Sequence, residues 1–171
     1  MKWIALALLV FSAGCAEAHP PVDPRSFALR LETKQSVCSA TAVAVDEIET
    51  AAHCLAHPLV SIDGQLVAIV SSRATGVDRL RVKVAGIHFG TWAKLGKAKV
   101  GDHVRWYGQP MGVPYVYREG VVAQIYPDGL AIDGTICRGD SGSGLINEAG
   151  ELVGVISAMT NDAGCTFILA R

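Results

Sequence analysis

Short apolar or alternating runs recur along the chain from Phe27 onward, separated by turn-forming residues. They span Phe27–Leu31, Val37–Val45, Leu59–Ile62, Gln65–Ser71, Leu80–Ala85, His103–Tyr107, Tyr115–Ile125, Leu130–Ile132, Gly144–Ile146, Leu152–Ala158 and Thr166–Leu169. Their length and their richness in Val and Ile predict strands rather than helices, because β-branched side chains pack well on a pleated surface. Asp63-Gly64 and Asp128-Gly129 fall between runs and read as tight hairpin turns, where an Asp-Gly pair accommodates positive φ. No helix of length and no internal repeat is evident, so the pattern predicts an all-β sandwich or barrel. Between Ile87 and Gly101 the texture changes, with three glycines and three lysines in one stretch. That stretch reads as a crossover and divides the chain into halves, residues 19–90 and 91–171.

The first residues have a different character. Met1-Lys2 precedes an apolar run, Trp3 to Phe11, too short to span a bilayer comfortably, and Ala16-Glu17-Ala18 is a small-x-small site. Residues 1–18 therefore read as a secretory signal, leaving a proline-rich arm from His19 to Ser26. Ala13-Gly14-Cys15 offers a competing reading, a lipoprotein anchored through Cys15, but Ser12 stands where such signals usually carry leucine. Formal net charge is −1 and no basic patch stands out, which argues against nucleic acid as a partner. Of 5 cysteines, four follow the predicted signal, an even number suited to two bridges in an exported chain. Four cysteines permit three pairings.

Chemistry concentrates in two segments. In Cys137-Arg138-Gly139-Asp140-Ser141-Gly142-Ser143-Gly144 a serine sits between glycines, where the backbone can fold sharply and aim a hydroxyl and neighbouring N–H groups at one substrate oxygen. A serine hydroxyl needs a base, and Thr50-Ala51-Ala52-His53-Cys54 supplies a histidine upstream, a residue type whose ordinary pKa of about 6.5 suits proton exchange near neutrality. His53, Cys54 and His57 could also be imagined as metal ligands, but zinc needs four committed ligands, or three and a water, and no second cluster has ligand spacing. His57, His88 and His103 read as surface or strand-end residues.

Together the Ala-Ala-His-Cys and Gly-Asp-Ser-Gly segments resemble the trypsin/chymotrypsin-like serine proteases, over nearly all of the chain after residue 35. Lys99 to Val104, Gly108-Gln109-Pro110-Met111-Gly112 and Glu119-Gly120-Val121-Val122 look more like the bacterial, degradation-type branch than the digestive enzymes. The resemblance implies two packed antiparallel Greek-key β-barrels with a cleft between them, the first carrying His53 and the second Ser141. It also implies an exported serine endopeptidase that cuts protein or peptide substrates and uses no metal or organic cofactor. Ser141 would be the nucleophile, His53 the general base, and Asp78, ahead of the alternating strand Arg79 to Val84, the residue that orients the histidine. The backbone N–H groups of Gly139 and Ser141 would form the oxyanion hole.

The resemblance further selects the pairings Cys38–Cys54 and Cys137–Cys165. It places Thr135 at the base of the acyl-side specificity pocket and Ser157-Ala158-Met159 along its wall. No acid stands at the base, which implies small or medium apolar side chains rather than Lys or Arg. Arg79 departs from the family, which usually has a small or apolar residue directly after the aspartate. Asp63 is the runner-up for the orienting role, but a turn explains it. No Arg-Ile-Val-Gly-Gly-like activation sequence is present, which leaves the partner of Asp140 open. The rival functional readings are a catalytically silent binding protein on the same fold, and an enzyme that acts on esters or only on its own precursor.

Overall fold

A computed structural model of the chain describes residues 22–162 and 165–171, and for 159–162 and 165–167 the backbone alone. The expected signal, residues 1–18 with Cys15, lies outside the described residues.

The described residues form two sheets, antiparallel except for the pairing of β8 with β13, and no α-helix. The first sheet contains β1 (Ala28–Thr33), β2 (Val37–Ala44), β3 (Glu47–Ala51), β4 (Leu59–Ile62), β5 (Gln65–Leu66), β6 (Ala68–Gly76) and β7 (Arg79–Ala85), in the order β5-β4-β1-β2-β3-β7-β6. It curls into a half-barrel. The second contains β8 (Lys94–Leu95), β9 (His103–Gly108), β10 (Val116–Tyr126), β11 (Gly129–Asp133), β12 (Gly144–Asn147), β13 (Glu151–Asp162) and β14 (Cys165–Ala170). Its strands run β12-β9-β10-β11-β14-β13, and a further pairing of β12 with β13 closes them into a six-stranded barrel, with β8 parallel to β13. Closure leaves no edge among those six strands.

Each half has its own core. Leu31, Ala40, Ile48, Ile62, Val82 and Val84 fill the first, while Val104, Trp106, Val122, Ile132, Leu145 and Ile168 fill the second. A third cluster, Phe27, Ala93, Ile146, Leu152 and Val155 with Val43 against it, brings residues from both halves together. Alternation explains the placement: along β9, Val104 and Trp106 are fully buried while His103 is exposed and Arg105 half-buried.

Two expectations change in detail. The run Gln65–Ser71 is not one strand but breaks at Val67 into β5 and β6. A whole strand, β3, falls in a segment with no apolar alternation, Glu47-Ile48-Glu49-Thr50-Ala51, where the side chain of Glu49 is only 1% exposed. Arg79 and Arg81 of the neighbouring β7 hold that carboxylate, which is why an acidic residue can stand in the interior of a sheet. The Asp63-Gly64 turn joins β4 to β5 with both residues at positive φ, 51° and 78°. Between β10 and β11 the turn lies at Pro127-Asp128, and Gly129 already belongs to β11.

Candidate active site

Strand β3 ends at Ala51 and runs directly into a single 3₁₀ turn, Ala52–Leu55, which carries His53 outward and Cys54 inward. A disulfide between Cys54 and Cys38 of β2 fastens that turn to the sheet. Thr50, also buried, donates its hydroxyl hydrogen to the carbonyl of Ser39 at 2.7 Å, so His53 is flanked on both sides by ties to β2.

Asp78 sits in the hairpin between β6 and β7 with φ 50°, in the left-handed region that an aspartate tolerates better than a branched residue. Its carbonyl accepts the Ala52 N–H at 3.0 Å, and Oδ1 accepts the main-chain N–H of His53 at 2.9 Å. Oδ2 lies 2.7 Å from His53 Nδ1 and also accepts the hydroxyl of Ser157 at 2.5 Å. Burial pushes the Asp78 carboxyl up, but the hydrogen bonds from Ser157 and from the ring and main chain of His53 together outweigh it and hold the group below its ordinary value. An ionised acceptor at Nδ1 fixes the hydrogen there, which leaves Nε2 as the basic nitrogen.

Main-chain bonds bring Ser141 to the same place. Its carbonyl accepts the Ser39 N–H at 2.8 Å and lies 3.5 Å from Cys54 Sγ, one residue from His53. The N–H of Gly142 bonds the carbonyl of Ile156 at 2.7 Å. Gly142 has φ 87°, and a side chain there would drive into the carbonyl of Ser39 and the hydroxyl of Thr50, so only glycine lets the serine loop lie this close to the first half. The His53 ring is hydrogen-bonded to Asp78, and no bond joins its Nε2 to the Ser141 hydroxyl; unliganded sites commonly leave that bond long.

The orientation of the 138–139 peptide follows from its partners. The carbonyl of Arg138 accepts the Met111 N–H at 2.7 Å, and the carbonyl of Gly139 accepts the Ser39 hydroxyl at 2.9 Å. In a trans peptide the N–H opposes the carbonyl, so the Gly139 N–H faces away from Met111. Gly139 and Ser141 donate to no backbone carbonyl among the described residues. Two such free donors can receive a developing oxyanion.

Asp140, fully buried, accepts the Cys137 N–H at 2.8 Å and lies 3.3 Å from Arg118 Nε, an ion pair without an aligned hydrogen bond. Burial raises its carboxyl above the ordinary value, opposed by Cys137 and Arg118. Arg118 thus fills the position the sequence left open. Nothing local marks it in advance: it is one polar residue on β10, opposite Trp106 in register. Gly108 leaves the room Asp140 needs, since a Cβ there would collide with the carboxylate.

The residues assigned to the acyl-side pocket are placed unevenly. Thr135 is exposed, Ser157 is buried with its hydroxyl on Asp78, and the side chain of Met159 lies outside the described residues. The tie from Ser157 to Asp78 had no sequence signal, because 79 residues separate the two. Cys137 carries a free thiol that accepts from Arg118 at 3.7 Å, while the side chain of Cys165, its expected partner, is outside the described residues. Cys38, His53 and Cys54 bring potential ligand atoms within 4.8 Å of one another, but the two sulfurs are bonded to each other and offer no thiolate. A groove of about 620 Å³ is lined by Glu32, Val37, Val60, Met111, Arg138 and Gly139.

A half-barrel and a closed barrel that bring a histidine, an aspartate and a glycine-flanked serine together have the arrangement of a class of peptidase. Residues 27–155 match the family model described as a trypsin-like peptidase domain, and the chain belongs to that family. It is 34% identical over 92 residues to a probable periplasmic serine endoprotease, DegP-like, of Buchnera aphidicola subsp. Baizongia pistaciae (strain Bp), covering 48% of this chain and 20% of that protein. The chain thus spans about a fifth of that relative's length.

Among solved structures, the Rv3671c protease from M. tuberculosis in its active form superposes with a TM-score of 0.70 at 20% identity, over 86% of this chain and 77% of that one. A Glu endopeptidase in complex with MPD gives 0.71 at 16% identity, over 90% and 88%. The HtrA-type protease AlgW with a tripeptide gives 0.68 at 23% identity, over 85% and 56%. These likenesses establish the shared fold.

Proposed function

We propose that the protein is an exported serine endopeptidase that hydrolyses peptide bonds through an acyl-enzyme on Ser141. One observation carries the reading: Asp78 accepts both the main-chain N–H and the Nδ1 position of His53, which commits the ring to present Nε2 as base. His53 Nε2 takes the Ser141 proton as the hydroxyl oxygen attacks the substrate carbonyl. Asp78 stabilises the imidazolium that forms. The carbonyl oxygen, now negative, is received by the N–H groups of Gly139 and Ser141. His53 then gives its proton to the leaving amine, and a water, deprotonated by the same nitrogen, releases the acyl group.

The halves 19–90 and 91–171 contribute the base and the nucleophile respectively. No acid stands at the pocket base expected at Thr135, so small or medium apolar side chains are preferred on the acyl side. The periplasmic name of the DegP-like relative and the signal-like residues 1–18 support export. The disulfide of Cys38 and Cys54 fits an oxidising compartment as well.

The test compares an unfolded protein, a peptide library and small esters, each supplied in trans, with the chain's own precursor in cis and Ser141→Ala as control. Cleavage of protein in trans that disappears in Ser141→Ala supports the reading. Turnover confined to esters or to the precursor would replace it with the narrower activity, and equal cleavage after arginine would overturn the apolar preference.

A further inference from the structure

Outside the site lies a buried ionic cluster with no counterpart in the chemistry described above. Glu49 of β3 is 1% exposed, and both of its oxygens are taken by guanidinium groups of β7. Arg79 engages Oε2 through Nε and Nη2, while Arg81 engages Oε1 through Nε at 3.0 Å and Nη2 at 2.6 Å. Glu47 completes the charge balance, 4.0 Å from Arg81. Burying Glu49 and covering most of the two guanidinium groups, each 16% exposed, is costly compared with packing apolar side chains of similar volume, so such a cluster is weak evidence of a stabilising role alone.

Its position suggests another. Arg79 directly follows Asp78, and Glu49 stands four residues before His53, with Ala51 opposite Arg79 and Glu49 opposite Arg81 in the β3–β7 register. The cluster therefore sews together the two strand ends that deliver His53 and Asp78. Asp78 itself occupies the left-handed region, a conformation that persists where its surroundings enforce it. On one side of it is the exposed hairpin residue Val77; on the other is Arg79.

Arg79 also reaches the second half. Its Nη1 donates to the main-chain oxygen of Arg171 at 3.1 Å. Arg171 pairs with Val155 through both main-chain groups at 3.0 Å, and Val155 stands two residues before Ser157, whose hydroxyl donates to Asp78. The contacts close a ring: Asp78, Arg79, Arg171, Val155, Ser157 and back to Asp78.

We infer that Arg79, held by Glu49, is a positioning residue for Asp78: the buried fork fixes the hairpin end so that the carboxylate meets His53 and Ser157 together. The inference rests on the proposed catalytic role of Asp78, and its effect runs through that residue. Arg79 touches neither substrate nor reacting atoms.

The test uses the full chain with Glu49→Leu, Arg79→Met and Arg81→Met combined, an apolar replacement expected to fold about as well as the native protein. Three readouts are taken: thermal unfolding, the far-downfield proton NMR signal of the His53 Nδ1–H held by Asp78, and kcat and KM on a peptide reporter, alone and combined with Asp78→Asn. The expected result is a folded variant with a weakened or absent downfield signal. A misplaced orienting group should lower kcat on the order of a hundredfold while KM stays within about threefold. Added to Asp78→Asn, the triple change should cost nothing further. A folded variant that keeps the signal and kcat overturns the inference, as does a loss that adds in full to that of Asp78→Asn. If the triple variant does not fold, Arg79→Lys, which keeps the charge but not the fork, decides by the same readouts. Should the native protein hydrolyse nothing, the catalytic reading fails, while the NMR signal still decides the positioning role.

Discussion

Placing a methyl group on Gly139 tests the oxyanion geometry at the one residue where space, backbone angle and chemistry coincide. Gly139 has φ 101°, and a Cβ there would press into the carbonyl oxygen of Gln109, 3.0 Å from the carbonyl carbon and 3.4 Å from the Met111 nitrogen. Restoring ordinary contact requires the serine loop to retreat by about 1 Å. The backbone angle adds about 1–2 kcal/mol of strain for a side-chain-bearing residue. Because Met111 holds the Arg138 carbonyl, the retreat breaks the bond that aims the Gly139 N–H. Losing one oxyanion donor costs about 2.7–4 kcal/mol in the transition state, so kcat should fall by about 10²–10³-fold.

Gly64→Ala supplies the control. It has φ 78° with open space around it, so it carries the strain without the collision. Steady-state kinetics on a peptide reporter, with thermal unfolding of both variants, separates the effects. Gly64→Ala should lower Tm by roughly 2–8 °C and leave kcat alone. A folded Gly139→Ala protein with kcat within a few-fold of native would refute the placement of the oxyanion donors.

Three further outcomes follow from the same geometry. Replacing Cys38 and Cys54 together by alanine opens a loop of sequence separation 16, worth about 3 kcal/mol, and should lower Tm on the order of 10 °C while loosening the turn that carries His53. Ser157→Ala removes one of the bonds that hold the Asp78 carboxyl below its ordinary value, a loss of about 1 kcal/mol after solvent screening. A depressed carboxyl contributes stability above its unfolded pKa and loses it as pH falls through the folded one, so the gap between native and Ser157→Ala should be widest at neutral pH and close in acid, as read by denaturant unfolding against pH. Asp140 has the opposite sign: burial raises its carboxyl, and protonation relieves the cost of its ionised form as pH falls through the raised value, so the stability of the native protein relative to Asp140→Asn should rise as the solution is acidified, as read by the same unfolding series.

The Val- and Ile-rich runs announced most strands, since alternation is a local property and the cores need it. Asp63-Gly64 announced its hairpin for the same reason, because both residues must take positive φ. Strand β3 was hidden because its interior residue is Glu49, and what makes that residue acceptable in a core is Arg79 and Arg81, thirty or more positions away. The two-residue β8 carries too little pattern to be seen and exists through its parallel pairing with β13. At the site, the motifs around His53 and Ser141 were legible because tight turns demand glycine and small residues. Arg118 beneath Asp140 and Ser157 behind Asp78 were not, because each arrives by barrel closure from a distant strand.

The most direct measurement is the intact mass of the native protein before and after a serine-directed fluorophosphonate, with His53→Ala and Ser141→Ala treated alongside. A single adduct on the native protein, absent from both variants, is the predicted result, since activation requires Nε2 of His53 as base and Ser141 as nucleophile. A folded native protein with its Cys38–Cys54 bridge intact that takes up no adduct, or an adduct that survives Ser141→Ala, would contradict it.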